Sequence, residues 1–271
     1  MPRRSTFELI RSLGVGALAE STLARLPDGT KAVCKRMHRH CASDPALVAM
    51  LEHEARLLAR FDHPAIPRLI DYSATGGAVW LVIQYLDGEV LDATRHLGVE
   101  RGAAAVLGLL DVLGYVHAET DVDGSPLGVV HRDVAPGNVL ARRDGSVALV
   151  DFSIATSRWR RDPDRGVMKG TRGYMAPEVV TGEREADARA DLFAAGVLLW
   201  ELTVGERLYP GDPIAVMTAV AESPPPRPSE RRAMYPPALE SVVLRALSRD
   251  VEARYPDARA MAAAIEDALR A

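Results

Sequence analysis

The alternation of apolar and polar positions predicts strands in the first third of the chain. Residues 7–35 form short apolar runs interrupted by glycines, and Asp28-Gly29 predicts a hairpin turn between the segments 21–26 and 30–37. The apolar run 79–86 predicts a buried strand. From about residue 100 the spacing becomes mostly helical, with one further hairpin predicted near 139–151. A strand-rich part followed by a larger helical part is typical of the α+β class.

One helix is predicted between the strands of the first part. Ser43 or Asp44 can cap its first turn, and Pro45 fits a first-turn position because its missing N–H is not needed there. The apolar stripe of this helix consists of Leu47, Met50, Leu51, Leu57 and Leu58.

Glu54 lies on that apolar stripe. A buried carboxylate is costly unless it is paired, so a cation should lie nearby. Lys35 is a candidate partner, since it lies on a predicted strand and faces the same side as Val33. The alternative is that Glu54 lies at the edge of the stripe, in water.

Composition narrows the class of protein. The chain has 271 residues, 48% hydrophobic and 26% charged, with a net charge of −4, which argues against nucleic acid as the main partner. Cys34 and Cys41 have no nearby His or Cys and fit free thiols in a reducing cytoplasm. The N-terminus lacks the apolar core of a signal peptide, and the apolar run 192–204, which contains Glu201, is too short to span a bilayer. A cytoplasmic protein is expected.

Two glycines near the N-terminus are a candidate phosphate site. Gly14 and Gly16 lie between predicted strands, where glycine lets backbone amides approach a phosphate. This spacing alone also fits a plain turn.

A stronger candidate for a functional site is the segment His131-Arg132-Asp133, followed by Asn138 and Asp151. If Asp144-Gly145 is a two-residue turn, Leu140 faces Leu149, and Asn138 faces Asp151 on the side of Leu140. An amide and a carboxylate side by side suit Mg²⁺, which takes few protein ligands, and Asp133 could act as a base or orient a hydroxyl. The alternative is a surface hairpin with polar ends.

Taken together, these segments resemble the protein kinase family, specifically the bacterial Ser/Thr kinases that share the eukaryotic fold. The resemblance covers residues 7–269. The matching motifs, in chain order, are Gly14 with Gly16, Ala32-Val33-Cys34-Lys35, Glu54, His131-Arg132-Asp133, Asn138, Asp151-Phe152-Ser153, Gly170-Thr171, Tyr174 to Glu178, Asp191 and Arg254.

The resemblance implies a bilobal fold, with a small lobe at about 7–85, a hinge at about 84–88 and a helical lobe at about 89–269. It implies ATP as a cofactor, Mg²⁺ as the metal with Mn²⁺ as the alternative, and proteins as substrates. Lys35 would hold phosphates and pair with Glu54, while Asn138 and Asp151 would bind the metal. Asp133 would act on the acceptor hydroxyl, with Arg132 and Thr171 completing the catalytic set. The nucleotide site would comprise Leu13, Gly14, Val15, Gly16, Ala19, Ser21, Val33, Lys35, Ile83, Gln84, Leu86 and Leu140. The core column linking the lobes would comprise Leu58, Leu69, His131 and Phe152.

Some positions depart from the family pattern. Ala135 replaces the lysine usual in Ser/Thr kinases, and losing that contact would cost on the order of 10²-fold in rate. Tyrosine kinases place an arginine in this loop; residues 134–137 contain none, so Ser/Thr specificity is expected. Ser153 replaces a glycine beside the metal-binding aspartate, and Ala19 replaces the third glycine of the loop.

At two further places, one departure from the family pattern is matched by a second that would offset it. Ser21 and Val33 stand where valine and alanine are usual, which would conserve the volume of the adenine pocket. No Ser or Thr occurs between Trp159 and Gly170, so Asp162 or Asp164 is a candidate replacement for a phosphate beside Arg132. The alternative is a solvated run of charges.

Two other functions remain open from the sequence. A pseudokinase would fit Ala135 and Ser153, although the full set of catalytic residues argues against it. A small-molecule kinase of related fold would lack the segment from Gly170 to Glu178. The sequence does not define the substrate, the upstream signal or the oligomeric state.

Overall fold

The computed structural model describes residues 7–92, 96–160 and 169–271. It divides into two compact units, the first ending at Asp87 and the second beginning at Gly88. Each is described separately. The mixture of an antiparallel sheet and many helices confirms the predicted α+β class.

The first unit is a five-stranded antiparallel sheet with one long helix. The strand order is β1-β2-β3-β5-β4. The elements are β1 (Glu8–Val15), β2 (Ala19–Arg25), β3 (Lys31–Met37), α1 (Pro45–Arg60), β4 (Leu69–Thr75) and β5 (Ala78–Gln84).

The predicted hairpin between β2 and β3 is confirmed. Its last strand pair is Arg25 with Lys31, and the amide of Leu26 donates to the carbonyl of Thr30 at 2.8 Å. Gly29 has φ +86°, a left-handed conformation that costs glycine little. Asp28 accepts the amide of Thr30 at 2.9 Å, so its side chain fixes the turn.

Helix α1 begins and packs as its sequence predicts. Of the two candidate caps it is Asp44 that closes the first turn, accepting the amide of Ala46 at 2.8 Å, with Pro45 next. The helix packs on β4 and β5. Its buried face includes Met50, Leu51, Leu57 and Leu58, which places Glu54 among apolar side chains.

The second unit is mostly helical and contains a small sheet in the order β6-β7-β8. Its elements are β6 (Glu89–Val90), α2 (Val99–Ala118), a 3₁₀ turn (Pro136–Asn138), β7 (Val139–Ala141), β8 (Val147–Leu149), α3 (Pro177–Thr181), α4 (Ala188–Val204), α5 (Pro213–Glu222), α6 (Pro228–Arg231), α7 (Pro237–Ala246), a second 3₁₀ turn (Val251–Ala253) and α8 (Ala258–Arg270).

Helix α4 forms the centre of this unit. Every side chain from Ala190 to Thr203 is buried, which explains why the run lacks a polar face. Helices α2 and α7 pack against it. Within the described residues, no helix combines the length and apolar character that a membrane crossing requires.

The register predicted for the β7–β8 hairpin is wrong by one residue. The observed pairs are Val139 with Leu149 and Leu140 with Ala148. The loop has three residues instead of two, because Arg142 pairs with Ser146 and Gly145 takes the left-handed conformation at φ +85°. Asn138 therefore pairs with Val150, whose amide donates to its carbonyl at 2.9 Å. A one-residue shift exchanges the two faces of a strand, so the predicted pairing of Asn138 with Asp151 does not occur.

Candidate active site

A buried ion pair joins β3 to α1 in the first unit. Nζ of Lys35 lies 2.5 Å from Oε1 of Glu54, and the Glu54 side chain is fully buried. This confirms the predicted pair, and the alternative of Glu54 in water is wrong. A lysine fixed by a buried carboxylate keeps its ammonium in one position, which a phosphate-binding role requires.

The glycine segment lies at the turn between β1 and β2. Gly14 pairs with Ser21, and the amide of Gly16 donates to Ala19 O at 2.9 Å. No described atom lies within 4 Å of where a Cβ of Gly14 would be, and a Cβ of Gly16 would meet only Ala19 O, at 3.4 Å. The segment therefore leaves room for a bulky group against its backbone, as a phosphate needs.

A feature that the sequence did not indicate holds this turn. The ring of His38 makes a hydrogen bond with Gly16 O at 2.9 Å through Nε2. The backbone amide of His38 donates to Leu18 O, also at 2.9 Å. The thiol of Cys41 lies 3.9 Å from Ala17 O. Three successive carbonyls of the turn thus contact the segment that follows β3.

The expected adenine-binding residues lie along the same sheet. Ser21 lies opposite Lys35, and Val33 lies opposite Ile83, so these four side chains share one face. Ser21 and Val33 are diagonal neighbours there, as an exchange of volume between them requires. The remaining predicted residues of this unit range from exposed Leu13, Val15 and Gln84 to half-buried Ala19 and buried Leu86.

In the second unit, two predicted residues converge on the carboxylate of a third, Asp133. Oδ1 of Asp133 accepts the amide and the hydroxyl of Thr171, each at 2.7 Å. Oδ2 accepts the side-chain amide of Asn138 at 2.7 Å. Both oxygens of Asp133 are therefore oriented, and a hydroxyl already occupies a position beside one of them. Half-buried Leu140, the remaining predicted nucleotide contact, follows on β7.

The predicted metal ligands lie at one end of the β7–β8 hairpin. Asp151 directly follows Val150, the residue paired with Asn138, and it takes a positive φ of 66°. The NH₂ group of Asn138 donates to Asp133, so the amide oxygen is the group left for a cation. One carboxylate and one amide oxygen fit Mg²⁺, which completes its shell with phosphates and water. No group of three or more His, Cys, Asp or Glu suited to a metal occurs in the described parts of the chain.

Asp191 on α4 fixes the backbone that precedes Asp133. Its carboxylate accepts the amides of His131 at 2.8 Å and Arg132 at 2.9 Å, and contacts His117 Nε2 at 2.8 Å. Burial opposes the charge of Asp191, but these hydrogen bonds and the neighbouring imidazoles outweigh it and lower its pKa. Arg132 has φ +70°, a conformation that is costly for a non-glycine residue. The hydrogen bonds from the two backbone amides to Asp191 hold it there.

A second buried ion pair holds the end of the segment from Gly170 to Glu178, which is called the activation segment below. The Arg254 guanidinium binds the two carboxylate oxygens of Glu178 through Nη1 and Nη2, at 2.9 and 2.6 Å. It also donates to the carbonyls of Ser248 at 2.7 Å and Arg189 at 3.3 Å. Both side chains of the pair are almost fully buried.

Other predicted positions have the following outcomes. The rings of His131 and Phe152 pack edge to face at 4.7 Å. Ala135 is buried, at the start of the 3₁₀ turn. Ser153 donates its amide to Asp151 at 3.2 Å. The hypothesis on Asp162 and Asp164 lies outside the described residues. His117 was not predicted, because nothing in its own helix indicates a partner that lies 74 positions away.

The fold and the arrangement of these groups are typical of the protein kinase class. Residues 7–263 match the protein kinase domain, and the chain belongs to that family. This confirms the resemblance found in the sequence.

Several bacterial kinases are similar over nearly the whole chain. It is 37% identical to tyrosine-protein kinase MasK of Myxococcus xanthus, over 97% of this chain and 43% of that protein. It is 34% identical to serine/threonine-protein kinase Pkn1 of Myxococcus xanthus, over 98% and 39%. It is 31% identical to serine/threonine-protein kinase PknB of Mycolicibacterium smegmatis, over 95% and 42%. The chain thus spans less than half the length of these relatives.

Proposed function

We propose that this kinase domain transfers the γ-phosphate of ATP, with Mg²⁺, to Ser or Thr hydroxyls of protein substrates. The observation that carries the proposal is the arrangement around Asp133, whose two oxygens are oriented by Thr171 and Asn138. The hydroxyl of Thr171 donates to Asp133 as an acceptor hydroxyl would need to.

Each catalytic residue has a defined task in this proposal. When bound, ATP and its metal supply an activated phosphoryl group whose charge is partly neutralised. Asp133 orients the acceptor hydroxyl and accepts its proton. Asn138 and Asp151 hold the metal through an amide and a carboxylate oxygen. Lys35, fixed by Glu54, holds phosphate oxygens, and Mn²⁺ would fit the same hard oxygen ligands.

The proposal extends to the nucleotide contacts and the cellular site. Gly14 and Gly16 leave the space that phosphates need, and Leu13, Val15, Ala19, Ser21, Val33, Ile83, Gln84, Leu86 and Leu140 are the proposed contacts to the rest of the nucleotide. The amide of Gln84 already donates to Arg68 O at 2.9 Å, so the base would bind other backbone groups between Gln84 and Leu86. Cys34 and Cys41 are buried free thiols, which suits action in a reducing cytoplasm.

Ala135 raises the question of the acceptor. The lysine usual in Ser/Thr kinases is missing, and one similar protein is named a tyrosine kinase. Residues 134–137 nevertheless contain no arginine, and Thr171 donates its hydroxyl to Asp133, which favours Ser or Thr. The complete set of Lys35, Glu54, Asp133, Asn138 and Asp151 argues against a pseudokinase.

The test uses four matched peptides that differ only at the acceptor, which is Ser, Thr, Tyr or Ala. Each is incubated with the protein, labelled ATP and Mg²⁺ or Mn²⁺, and the incorporated label is measured. We expect label in the Ser and Thr peptides and none in the Ala peptide. Label in the Tyr peptide alone would assign the domain to tyrosine. No label in any peptide, with ATP bound in the same preparation, would support the pseudokinase instead.

A further inference from the structure

A cavity of about 570 Å³ lies in the second unit, beside the loop that follows Asp133. Its walls are residues 170–174, the loop 209–211, and Pro136 and Gly137, which follow Asp133. Because Thr171 bonds to Asp133, a peptide whose hydroxyl reaches Asp133 passes along this cavity. Side chains near the acceptor would therefore lie against the cavity's charged groups.

The cavity's own carboxylate is neutralised by the protein. Glu201 is almost fully buried, and its Oε2 accepts the hydroxyl of Tyr174 at 2.5 Å while its Oε1 accepts the amide of Leu208 at 3.0 Å. Nη1 of Arg207 lies 3.2 Å from Oε2 and also donates to the Tyr174 hydroxyl. Burial raises the pKa of Glu201. This wall therefore offers no negative charge to a cationic side chain.

Two arginines at the cavity retain the capacity to bind an anion. Arg172 is exposed and makes no hydrogen bond or ion pair within the described part of the chain. The Arg207 side chain is 45% exposed. It uses Nη1 for Glu201 and Tyr174, while its Nε and Nη2 make no hydrogen bond to any described residue. A guanidinium has five donors, so most of those of Arg207 remain available.

Apart from Glu201, no carboxylate of the described residues lines the cavity to offset these cations. Asp212 lies between two lining residues, but its side chain caps α5, accepting the amides of Ile214 at 2.9 Å and Ala215 at 3.0 Å. Asp212 is not among the lining residues, and Glu201 is the acidic residue that lines the cavity. The accessible charge of the cavity is therefore positive.

We propose that Arg172 and Arg207 select protein substrates that carry acidic side chains within a few residues of the acceptor hydroxyl. This inference rests on the proposed function and adds the substrate class. Arg207 also determines the sign of the preference, because it pairs with Glu201, the acidic residue among the described residues that line the cavity.

The test compares three peptides that share a Thr acceptor and differ in their flanking residues, which are all Glu, all Gln or all Lys. We expect kcat/KM to be about fivefold higher for the Glu peptide than for the Gln peptide, and lowest for the Lys peptide. The difference should lie in KM and should shrink as salt is raised, since exposed charges are screened. Equal kcat/KM for the three peptides would overturn the inference.

Two variants and a matched control locate the effect. Arg172→Gln should reduce the Glu-to-Gln ratio to about twofold or less. Arg207→Gln should shift the preference toward the Lys peptide, because Glu201 loses its cation. Arg231→Gln changes another exposed arginine of the same unit and should leave every ratio unchanged. A ratio unaffected by Arg172→Gln would contradict the assignment.

A binding measurement separates this inference from the proposed function. Fluorescent Glu, Gln and Lys peptides with Ala at the acceptor are titrated with the protein, and anisotropy gives each Kd. Tighter binding of the Glu peptide that is lost in Arg172→Gln supports the inference even if no peptide is phosphorylated, in which case only the proposed function fails. Equal Kd values for the three peptides would overturn the inference even if phosphorylation is observed.

Discussion

Each unit of this domain contains a buried glutamate paired with a cation, and the two pairs are built differently. In the first unit a lysine ammonium lies 2.5 Å from Glu54. In the second unit the guanidinium of Arg254 binds both oxygens of Glu178 and two backbone carbonyls besides. The lysine ammonium is a compact charge, whereas the arginine guanidinium is planar and rigid and can bind both oxygens of a carboxylate.

The different geometry of the two ion pairs indicates that they have different roles, although both are buried. The fork of Arg254 joins Glu178 at the end of the activation segment to the carbonyl groups of Arg189 and Ser248. Its contribution should therefore be to stability. Lys35 carries an ammonium on a long stem, and Glu54 holds that ammonium in one position. Its contribution should be to phosphate transfer. The first two of the four predictions that follow test this contrast.

The largest effect is expected when the second pair is broken. Arg254→Ala leaves Glu178 buried without its cation and should lower the free energy of unfolding by about 3–5 kcal/mol. Denaturant unfolding followed by circular dichroism measures this. Arg184→Ala is the control, because Arg184 pairs with Asp187 and Glu252 at the surface and should cost at most about 1 kcal/mol. Equal losses in the two variants would refute the structural role of Arg254.

The next largest effect is expected from a substitution in the first pair that keeps its positive charge. Lys35→Arg can still pair with Glu54, but the planar guanidinium cannot occupy the position of the ammonium. We expect kcat/KM to fall about 10²-fold, which corresponds to about 2.7 kcal/mol of transition-state stabilisation. Steady-state kinetics measure the fall, and an unfolding curve checks that the fold is retained. Full activity in Lys35→Arg would show that position 35 supplies only charge.

A third prediction uses the core of the second unit. Tyr235 is buried, its hydroxyl lies 2.9 Å from that of Thr203, and burial raises its pKa to about 12. The unfolded chain loses this proton from about pH 10, so the free energy of unfolding should fall between pH 10 and 12. Tyr235 should contribute about 1.4 kcal/mol per pH unit within that window.

Tyr235→Phe should remove that contribution. Losing the bond to Thr203 adds an offset that does not depend on pH, so the slope is the informative quantity. Unfolding curves of both proteins at pH 9, 10 and 11 measure it. An identical slope in Tyr235→Phe would contradict the assignment of the raised pKa to this buried side chain.

The smallest effect is expected at the glycine turn of the first unit. His38→Ala removes one hydrogen bond to Gly16 O, and a bond of this kind contributes about 1 kcal/mol. We expect KM for ATP to rise about fivefold with little change in kcat, because the turn would be less ordered before binding. The control is His40→Ala, which removes a ring stacked 5.6 Å from that of His38. A similar KM increase in both variants would assign the effect to ring packing.

The parts of this fold that short segments determine were predictable. Asp44 and Pro45 mark the start of α1 because capping depends on a few adjacent residues. Glu54 was recognisable because a carboxylate on an apolar stripe demands a partner, and the nearby β3 supplied Lys35. Patterns within one or two elements were therefore enough to predict the start of α1 and the Lys35–Glu54 pair.

Features that depend on one torsion or on distant contacts were not predictable in the same way. The observed β7–β8 register differs from the predicted one by one residue because Gly145 closes a three-residue loop. A turn sequence of this kind permits loops of two or three residues. The contacts of Glu201 with Tyr174 and Arg207 depend on how α4 packs under residues 170–174. Apolar periodicity contains no information on such contacts, so the charge of the cavity could not be inferred from the sequence.

The most direct test of the catalytic account is the rate of phosphate transfer by Asp133→Asn. Asparagine keeps the size of the side chain and can still accept hydrogen bonds, but it cannot accept the proton of an acceptor hydroxyl. The account predicts a fall in kcat of about 10²–10⁴-fold for a Thr peptide, with the Kd for ATP unchanged. Transfer at the wild-type rate by Asp133→Asn would contradict the assignment of Asp133 as the residue that acts on the acceptor hydroxyl.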